Sequence, residues 1–96
     1  MKSYFVYILK CNDESYYTGI TNDIKRRLVE HQSGKDSKSY TYFRRPLKLE
    51  YYYEFSDVNL AIAFEKRIKG WSRVKKEALI NNEFGKLPNL SKKKFS

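Results

Sequence analysis

A run of β-branched and aromatic residues near the start of the chain sets the strongest limit on its fold. Apolar side chains occur at both parities over residues 4–11, so a strand formed here must be covered on both of its faces. A polar break follows at residues 12–15, and strand composition resumes over residues 16–21. We therefore predict a β-hairpin over residues 4–21. Its connection should exceed two residues, because Glu14 stands where a tight turn would favour glycine.

The rest of the chain alternates helix and strand signals. Asn22 or Asp23 can cap a helix over residues 24–33 that ends at Gly34. Residues 35–46 show no periodicity and are predicted to be a loop, whereas residues 47–55 have strand composition. A second helix is predicted from the Asp57 cap to about residue 69, and a third follows Trp71 and ends near residue 81. The predicted apolar face of the second helix consists of Leu60, Ala61, Phe64 and Ile68.

This order of elements, β-β-α-β-α-α, predicts the fold class. We expect a small α+β domain, in which helices flank a three-stranded antiparallel sheet, over residues 1–81. Residues 82–96, which include Lys92–Lys94, are predicted to be a basic, flexible tail.

The charge balance favours a polyanionic partner. Lysine and arginine number 20 against 11 acidic residues, giving a net charge of +9, and aromatic residues make up 17% of the chain. The longest apolar run, residues 4–9, is too short to span a membrane, and we expect no secretory signal. The single Cys11 excludes an internal disulfide and a cysteine-based zinc site, so a reducing cytoplasm is the expected location.

Six residues are candidates for chemistry, and each also has an ordinary structural explanation. On a helical wheel Arg27 and His31 lie on one edge of an apolar stripe, and Glu65 lies on the flank of another. Arg27 could simply extend to solvent along that stripe, and Glu65 could pair with Lys69. Strand tyrosines usually pack in cores, and a strand glycine often marks a bulge. The candidates are Tyr7, Tyr17, Gly19, Arg27, His31 and Glu65.

Their joint order and spacing resemble the motif of the GIY-YIG nucleases. The matching segments are Phe5-Val6-Tyr7, Tyr17-Thr18-Gly19, Arg27-x-x-x-His31 and Glu65. The resemblance runs from residue 4 to about residue 81. Within the superfamily, the chain most resembles the short single-domain bacterial members. Phe5-Val6 stands in place of Gly-Ile, and Thr18 in place of the second Ile. The asparagine that often follows the metal-binding glutamate in this superfamily has no counterpart over residues 71–80.

The resemblance implies a metal-dependent DNA endonuclease, and the residues suit the reaction. Arg27 offers a planar cation for phosphate, and Glu65 is a natural ligand for Mg²⁺, with Mn²⁺ as an alternative ion. His31 could accept or relay a proton. Family resemblance makes one tyrosine the activator of the attacking water. We favour Tyr7, with Tyr17 placing the phosphate or the water, although the sequence itself does not choose between them.

Two physical conditions follow from that assignment. A free tyrosine has a pKa of about 10, so Arg27 and the metal must lower the pKa or His31 must take the proton. The two tyrosines must also lie on one face of the hairpin. A connection of three or five residues, or one bulge, satisfies this condition, whereas a four-residue connection does not.

Residues outside the motif are candidates for contact with nucleic acid. Lys38, Tyr40, Arg44 and Arg45 could contact the backbone, and Trp71 could stack on a base or, as we favour, anchor the third helix. We expect a structure-selective endonuclease linked to DNA repair or processing, acting on DNA, or alternatively RNA, as a monomer or weak homodimer. The alternatives are a nucleic-acid-binding module with weak or no cleavage and a protein-interaction adaptor.

Overall fold

The strand Tyr4–Lys10 (β1) lies at the centre of a three-stranded antiparallel sheet, between Tyr16–Thr21 (β2) and Lys48–Phe55 (β3). The structure, a computed structural model, describes residues 2–34 and 38–82. The predicted tail, apart from Asn82, lies outside the described residues. Three α-helices and one short 3₁₀ segment complete the chain in the predicted order. They are Ile24–Ser33 (α1), Tyr42–Arg44 (3₁₀), Val58–Lys69 (α2) and Arg73–Ile80 (α3).

Both faces of β1 are buried, which confirms the two-sided strand. One face carries Val6 and Ile8 into a core formed with α2 and α3. The other face carries Tyr7 and Leu9 against residues that include Ile24 of α1. All four of these β1 side chains are fully buried. The domain is therefore layered, with α2 and α3 on one side of the sheet and α1 on the other.

The hairpin has the connection that a shared tyrosine site requires. Lys10 pairs with Tyr16, so five residues, 11–15, join the two strands, and Glu14 adopts a positive φ of 71°. Tyr7 pairs with Gly19, two residues beyond Tyr17. Directly paired residues share a face, so the two tyrosines lie on the same side of the sheet. This sequence-based prediction is confirmed.

The local signals at the ends of α1 are also confirmed. The Asp23 side chain accepts a hydrogen bond from the backbone N–H of Arg26, which caps the first turn. Gly34 ends the helix in the left-handed conformation, with φ of 72°. A Cβ at this position would also lie 2.6 Å from Nη1 of Arg45.

The predicted face of α2 is partly wrong. Leu60 is 59% exposed, whereas Glu65 is only 8% exposed. The buried stripe follows Ala61, Glu65 and Ile68, at spacings of four and three residues, so it is rotated from the position that hydrophobicity predicts. Glu65 consequently lies within the buried stripe and not on its flank. A carboxylate held there has to be paired or bound, because burial of an isolated charge is costly.

The ordinary structural explanation fails for Gly19 and holds for Trp71. Gly19 marks no bulge, since the β1–β2 pairing is regular through it. The irregularity instead lies in the β1–β3 pairing, between Ile8 and Leu9. Trp71 packs against the core formed with α2 and α3, as expected for an anchor of the third helix.

Candidate active site

A string of hydrogen bonds links β1 to α1 and to the loop that follows it. The hydroxyl of Tyr7 lies 2.9 Å from Nε2 of His31, and Nδ1 of His31 lies 2.9 Å from Oγ1 of Thr41. Thr41 is itself 3.0 Å from the hydroxyl of Ser39. Tyr7, His31 and Thr41 are buried, so the two bonds of His31 lie in a low-dielectric setting that strengthens them.

Gly19 makes room for the Tyr7 ring. A Cβ at Gly19 would lie 2.5 Å from the Tyr7 hydroxyl oxygen and 2.6 Å from Cζ of the same ring. Real side chains do not approach so closely, so any larger residue here must displace the ring. The glycine of the motif is required by this close approach across the β1–β2 pair, since its backbone is regular.

Burial controls the acidity of the Tyr7 hydroxyl. Loss of solvent raises the pKa of Tyr7 to about 12, although a hydrogen bond and the charge of Arg27 act in the opposite direction. A resting tyrosinate would therefore be very rare at neutral pH. The sequence left two alternatives, a lowered tyrosine pKa or transfer of the tyrosine proton to His31. This geometry favours the transfer.

His31 is suited to receive that proton. Burial and the positive charge of Arg27 lower the pKa of His31, while Glu30 opposes this shift. The imidazole is therefore neutral at pH 7 and carries one N–H. A neutral imidazole has one acceptor nitrogen, and we assign Nε2 as the acceptor of the Tyr7 O–H, so that Nδ1–H donates to Thr41.

One N–H donor of Arg27 has no partner in the described part of the chain. Its Nε is buried and has no hydrogen-bond partner among the residues that the structure describes. Nη1 of the same side chain forms an ion pair of 3.7 Å with Glu30. An unpartnered buried N–H is costly, and a phosphate or a water held by this guanidinium would satisfy it.

An open cleft of about 480 Å³ adjoins these groups. Arg27 and His31 line it from α1, and Tyr17 lines it from β2. The Tyr17 ring packs edge-on against the His31 ring, with centroids 5.3 Å apart. Tyr7 is fully buried and is not among the lining residues, which include Tyr17, His31 and Arg27.

Glu65 lies at a different wall of the domain. It belongs to α2, which packs on the opposite side of the sheet from α1, and it does not line the cleft. Its Oε2 forms an ion pair of 2.9 Å with Nζ of Lys69. The Glu65 carboxylate raises the pKa of Lys69, while partial burial of the ammonium opposes this shift and Tyr17 adds to it more weakly.

The donor set fits a magnesium ion that keeps most of its waters. In residues 2–34 and 38–82 no group of three or more His, Cys, Asp or Glu side chains is placed to hold a metal. Mg²⁺ commonly takes one carboxylate and completes its shell with waters and substrate phosphate. The buried carboxylate of Glu65 could serve in that way, provided that Lys69 yields its place.

Contacts between two loops close one side of the cleft. The Tyr40 ring stacks on Tyr17, with centroids 5.9 Å apart and planes at 24°. Its hydroxyl donates to Ser15 of the hairpin connection. Arg44 lies 3.9 Å above the Tyr40 ring and donates from Nε to Asp13 at 3.0 Å. Tyr40 is thus part of the wall, and Arg44 supports its ring and ties it to the hairpin connection.

The other two basic candidates, Arg45 and Lys38, differ from Arg44. Arg45 donates to the backbone carbonyls of Tyr42 and Gln32, so its guanidinium lies at the end of α1 and stabilises the loop. Lys38 is exposed at the other end of the same loop. The structure therefore gives Arg45 a structural task and leaves Lys38 at the surface.

Thr41 and Ser39 are the members of the hydrogen-bonded string that sequence reasoning missed. Residues 35–46 carry no periodic signal, and a buried threonine in a polar loop looks like any other loop residue. The one available hint was that a buried histidine needs a second partner for its other nitrogen. Nothing in the spacing identified that partner as Thr41.

Known proteins are similar to this chain over most of its length. The GIY-YIG catalytic-domain model matches residues 3–78. A UPF0213 protein of Bacillus pumilus is 45% identical over 78 residues, which cover 81% of this chain and 79% of that protein. A UPF0213 protein of Halalkalibacterium halodurans is 41% identical over 90 residues, covering 94% and 95% of the two chains.

Two solved structures share the fold. The NMR structure of a UPF0213 protein from Bacillus halodurans has a TM-score of 0.56 and 40% identity, and covers 88% of each chain. The NMR structure of an E. faecalis protein has a TM-score of 0.61 and 34% identity, and covers 85% of this chain and 86% of the other. None of the described helices is long and apolar enough to cross a membrane. The chain belongs to the GIY-YIG catalytic-domain family, among its short UPF0213 members.

Proposed function

We propose that this protein is a metal-dependent endonuclease that hydrolyses DNA phosphodiester bonds by direct attack of water. The observation that carries the proposal is the buried Tyr7–His31 hydrogen bond of 2.9 Å beside a cleft lined by Arg27. Phosphodiester hydrolysis needs a proton acceptor for water and a cation for the developing charge. Tyr7 with His31 supports the first role, and Arg27 supports the second.

The proposed proton path uses the tyrosine and histidine together. The water oxygen bonds to phosphorus as its proton passes to the Tyr7 oxygen and the Tyr7 proton passes to Nε2 of His31. The bond from phosphorus to the bridging oxygen breaks, and that oxygen takes a proton from solvent. Arg27 donates to the non-bridging oxygens, whose charge rises in the transition state. Tyr7 is buried, so in the substrate complex the attacking water has to pass Tyr17 and His31 to reach the Tyr7 hydroxyl.

Glu65 would hold the metal ion in this proposal. A bound Mg²⁺ or Mn²⁺ supplies Lewis-acid stabilisation of charge on the phosphate. Glu65 is 8% exposed, so its carboxylate is fixed in place by α2. Lys69, which now pairs with it, is free to move because its own side chain is 56% exposed.

The test is nicking of supercoiled plasmid and of a branched DNA with Mg²⁺. Wild type is compared with Tyr7→Phe, Tyr17→Phe, Arg27→Ala and Glu65→Gln at matched purity. We expect each of Tyr7→Phe, Arg27→Ala and Glu65→Gln to lose at least about 100-fold in rate, as removal of one acid–base or electrostatic group commonly does. Arg26→Ala is the matched control, because Arg26 is an exposed arginine on the same helix.

The outcomes separate the roles of the two tyrosines. A larger loss in Tyr7→Phe than in Tyr17→Phe supports Tyr7 as the base that works with His31. An active Tyr7→Phe beside an inactive Tyr17→Phe would transfer the role to Tyr17. Equal activity in wild type and all variants would indicate a contaminant and would remove support for the site.

One observation favours a second function, a nucleic-acid-binding module with weak or no cleavage. The ion pair between Lys69 and Glu65 occupies the single carboxylate proposed for the metal. Salt-sensitive DNA binding that persists in Glu65→Gln, without nicking by wild type, would establish this alternative.

Selectivity is proposed to be for DNA structure and not for long sequence. The cleft is built by α1, β2 and residues 39–40, and a net charge of +9 suits contact with a phosphate backbone in general. Such a protein suits DNA repair or processing, in which branches and unpaired segments arise. One site cuts one strand, so a monomer should nick. Comparison of nicking rates on linear duplex, branched and gapped substrates of one sequence tests this part of the proposal.

A further inference from the structure

Phe43 is the most exposed of the large hydrophobic residues in the described part of the chain. Its side chain is 86% exposed, against 55% for Tyr52 and 54% for Tyr53. Those tyrosines contact rings on other elements, Phe5 for Tyr52 and Phe64 for Tyr53. The ring contact recorded for Phe43 is with Tyr42, its neighbour in sequence, at 4.7 Å. The fold therefore does not account for a phenylalanine here.

The backbone that carries Phe43 is firmly held. Tyr42 N–H donates to Ser39 at 3.1 Å, and Arg44 N–H donates to Thr41 at 3.0 Å, so the segment has 3₁₀ geometry. The carbonyl of Arg44 also accepts from the backbone of Asn12 in the hairpin connection at 2.8 Å. The exposed ring is thus presented by the same loop that places Thr41 beside His31.

The surroundings of the ring suit a nucleobase more than an apolar partner. Phe43 follows Tyr40 by three residues, and it lies within the 3₁₀ segment Tyr42–Arg44, which begins two residues after Tyr40. Tyr40 lines the cleft, and the guanidinium of Arg44 lies 3.9 Å above its ring. Aromatic faces interleaved with arginines are the surface that binds unpaired bases through stacking and phosphates through charge.

We propose that Phe43 is a stacking site for an unpaired nucleobase next to the cleft, so that the preferred ligand contains single-stranded nucleic acid. In a duplex the base faces are already stacked inside the helix and cannot cover Phe43. The inference rests on the proposed function, because it takes the cleft to bind a nucleic-acid backbone. It adds the residue that distinguishes unpaired from paired strands.

The test measures binding in EDTA, where cleavage does not interfere. Fluorescence anisotropy is recorded with a labelled single-stranded oligonucleotide and with the same strand in a duplex, at fixed moderate salt. We expect Phe43→Ala to weaken single-strand binding by about 5- to 100-fold, the range for loss of one base–aromatic stack, and duplex binding by less than about twofold. Phe43→Trp retains a ring and should restore single-strand binding.

Val29→Ala is the matched control, because Val29 is 67% exposed and lies on α1. It should leave both affinities unchanged. Equal affinity of Phe43→Ala and wild type for the single strand, or equal losses on both ligands, would overturn the inference. These results would leave nicking by wild type intact, so they are distinguishable from failure of the proposed function. Absence of nicking with a selective Phe43 effect would instead reject only the nuclease.

Discussion

Replacement of Gly19 by alanine should damage the site and the fold through one contact. The new Cβ would lie 2.5 Å from the Tyr7 hydroxyl oxygen, whereas ordinary contacts begin at 3.4 Å. The ring must therefore move by about 0.9 Å, the difference between these two distances. A displacement of that size disturbs the 2.9 Å bond to His31, because hydrogen bonds have a narrow range of length and angle.

The magnitude follows from the burial of this ring. Overpacking a well-packed core costs about 1–3 kcal/mol, and loss of a hydrogen bond adds about 1 kcal/mol. We expect Gly19→Ala to lower the free energy of unfolding by about 2–4 kcal/mol in urea titrations followed by circular dichroism. Nicking should fall by about 100-fold, because misplacement of a reacting group by 1 Å has that effect.

His31 gives a direct readout because it is the single histidine of the chain. Its ¹⁵N ring resonances should shift in Gly19→Ala as the bond from Tyr7 to Nε2 is lost. Gly70→Ala is the control, since φ at Gly70 is −86° and the nearest atom to a new Cβ is 3.8 Å away. If Gly19→Ala matches Gly70→Ala within about 0.5 kcal/mol and leaves the His31 resonances unchanged, the close-approach argument is refuted.

Three further predictions concern the same network. Thr41→Val keeps the shape but removes the partner of His31 Nδ1, so unfolding free energy should fall by about 1–3 kcal/mol in urea titration; an unchanged value would show that Nδ1 finds another acceptor. His31 should titrate below 6.5 by NMR, and Arg27→Gln should raise that midpoint. Because the unfolded chain binds this proton first, stability should decline as pH falls below 6.5; a histidine midpoint above 6.5 would contradict the sign. Lys69→Met should tighten Mg²⁺ binding in an NMR titration by removing the ammonium that pairs with Glu65, whereas Lys66→Met, the same charge change on α2, should not.

The sequence was most informative where local chemistry decides structure. Helix caps at Asp23 and Asp57 and the left-handed Gly34 depend on neighbours within a few residues, and these features were predicted correctly. The shared face of Tyr7 and Tyr17 followed from strand parity once the connection length was limited. Such signals are carried by the residues themselves and need no knowledge of distant contacts.

The features that escaped prediction depend on contacts between distant segments. Hydrophobicity placed Leu60 in the core and Glu65 beside it, but α2 is rotated so that Leu60 faces solvent and Glu65 is buried. Burial of the carboxylate is compatible with the fold because Lys69 pairs with it, and hydropathy alone cannot rank that pair against a leucine. The hydrogen-bond partner of His31 Nδ1 is Thr41, which lies ten residues away in a segment without periodicity.

The two-sided burial of β1 has a consequence for how this site can work. Tyr7 packs with Leu9 in one core, and Val6 and Ile8 hold the other face of the strand in a second core, so the Tyr7 ring shares the stiffness of the domain interior. In the proposed mechanism, the conformational entropy lost in orienting the Tyr7 hydroxyl is lost once, during folding, and not again with each substrate. The site is therefore preorganised by its central strand, and substitutions that loosen either face of β1 should reduce turnover even when they lie far from the cleft.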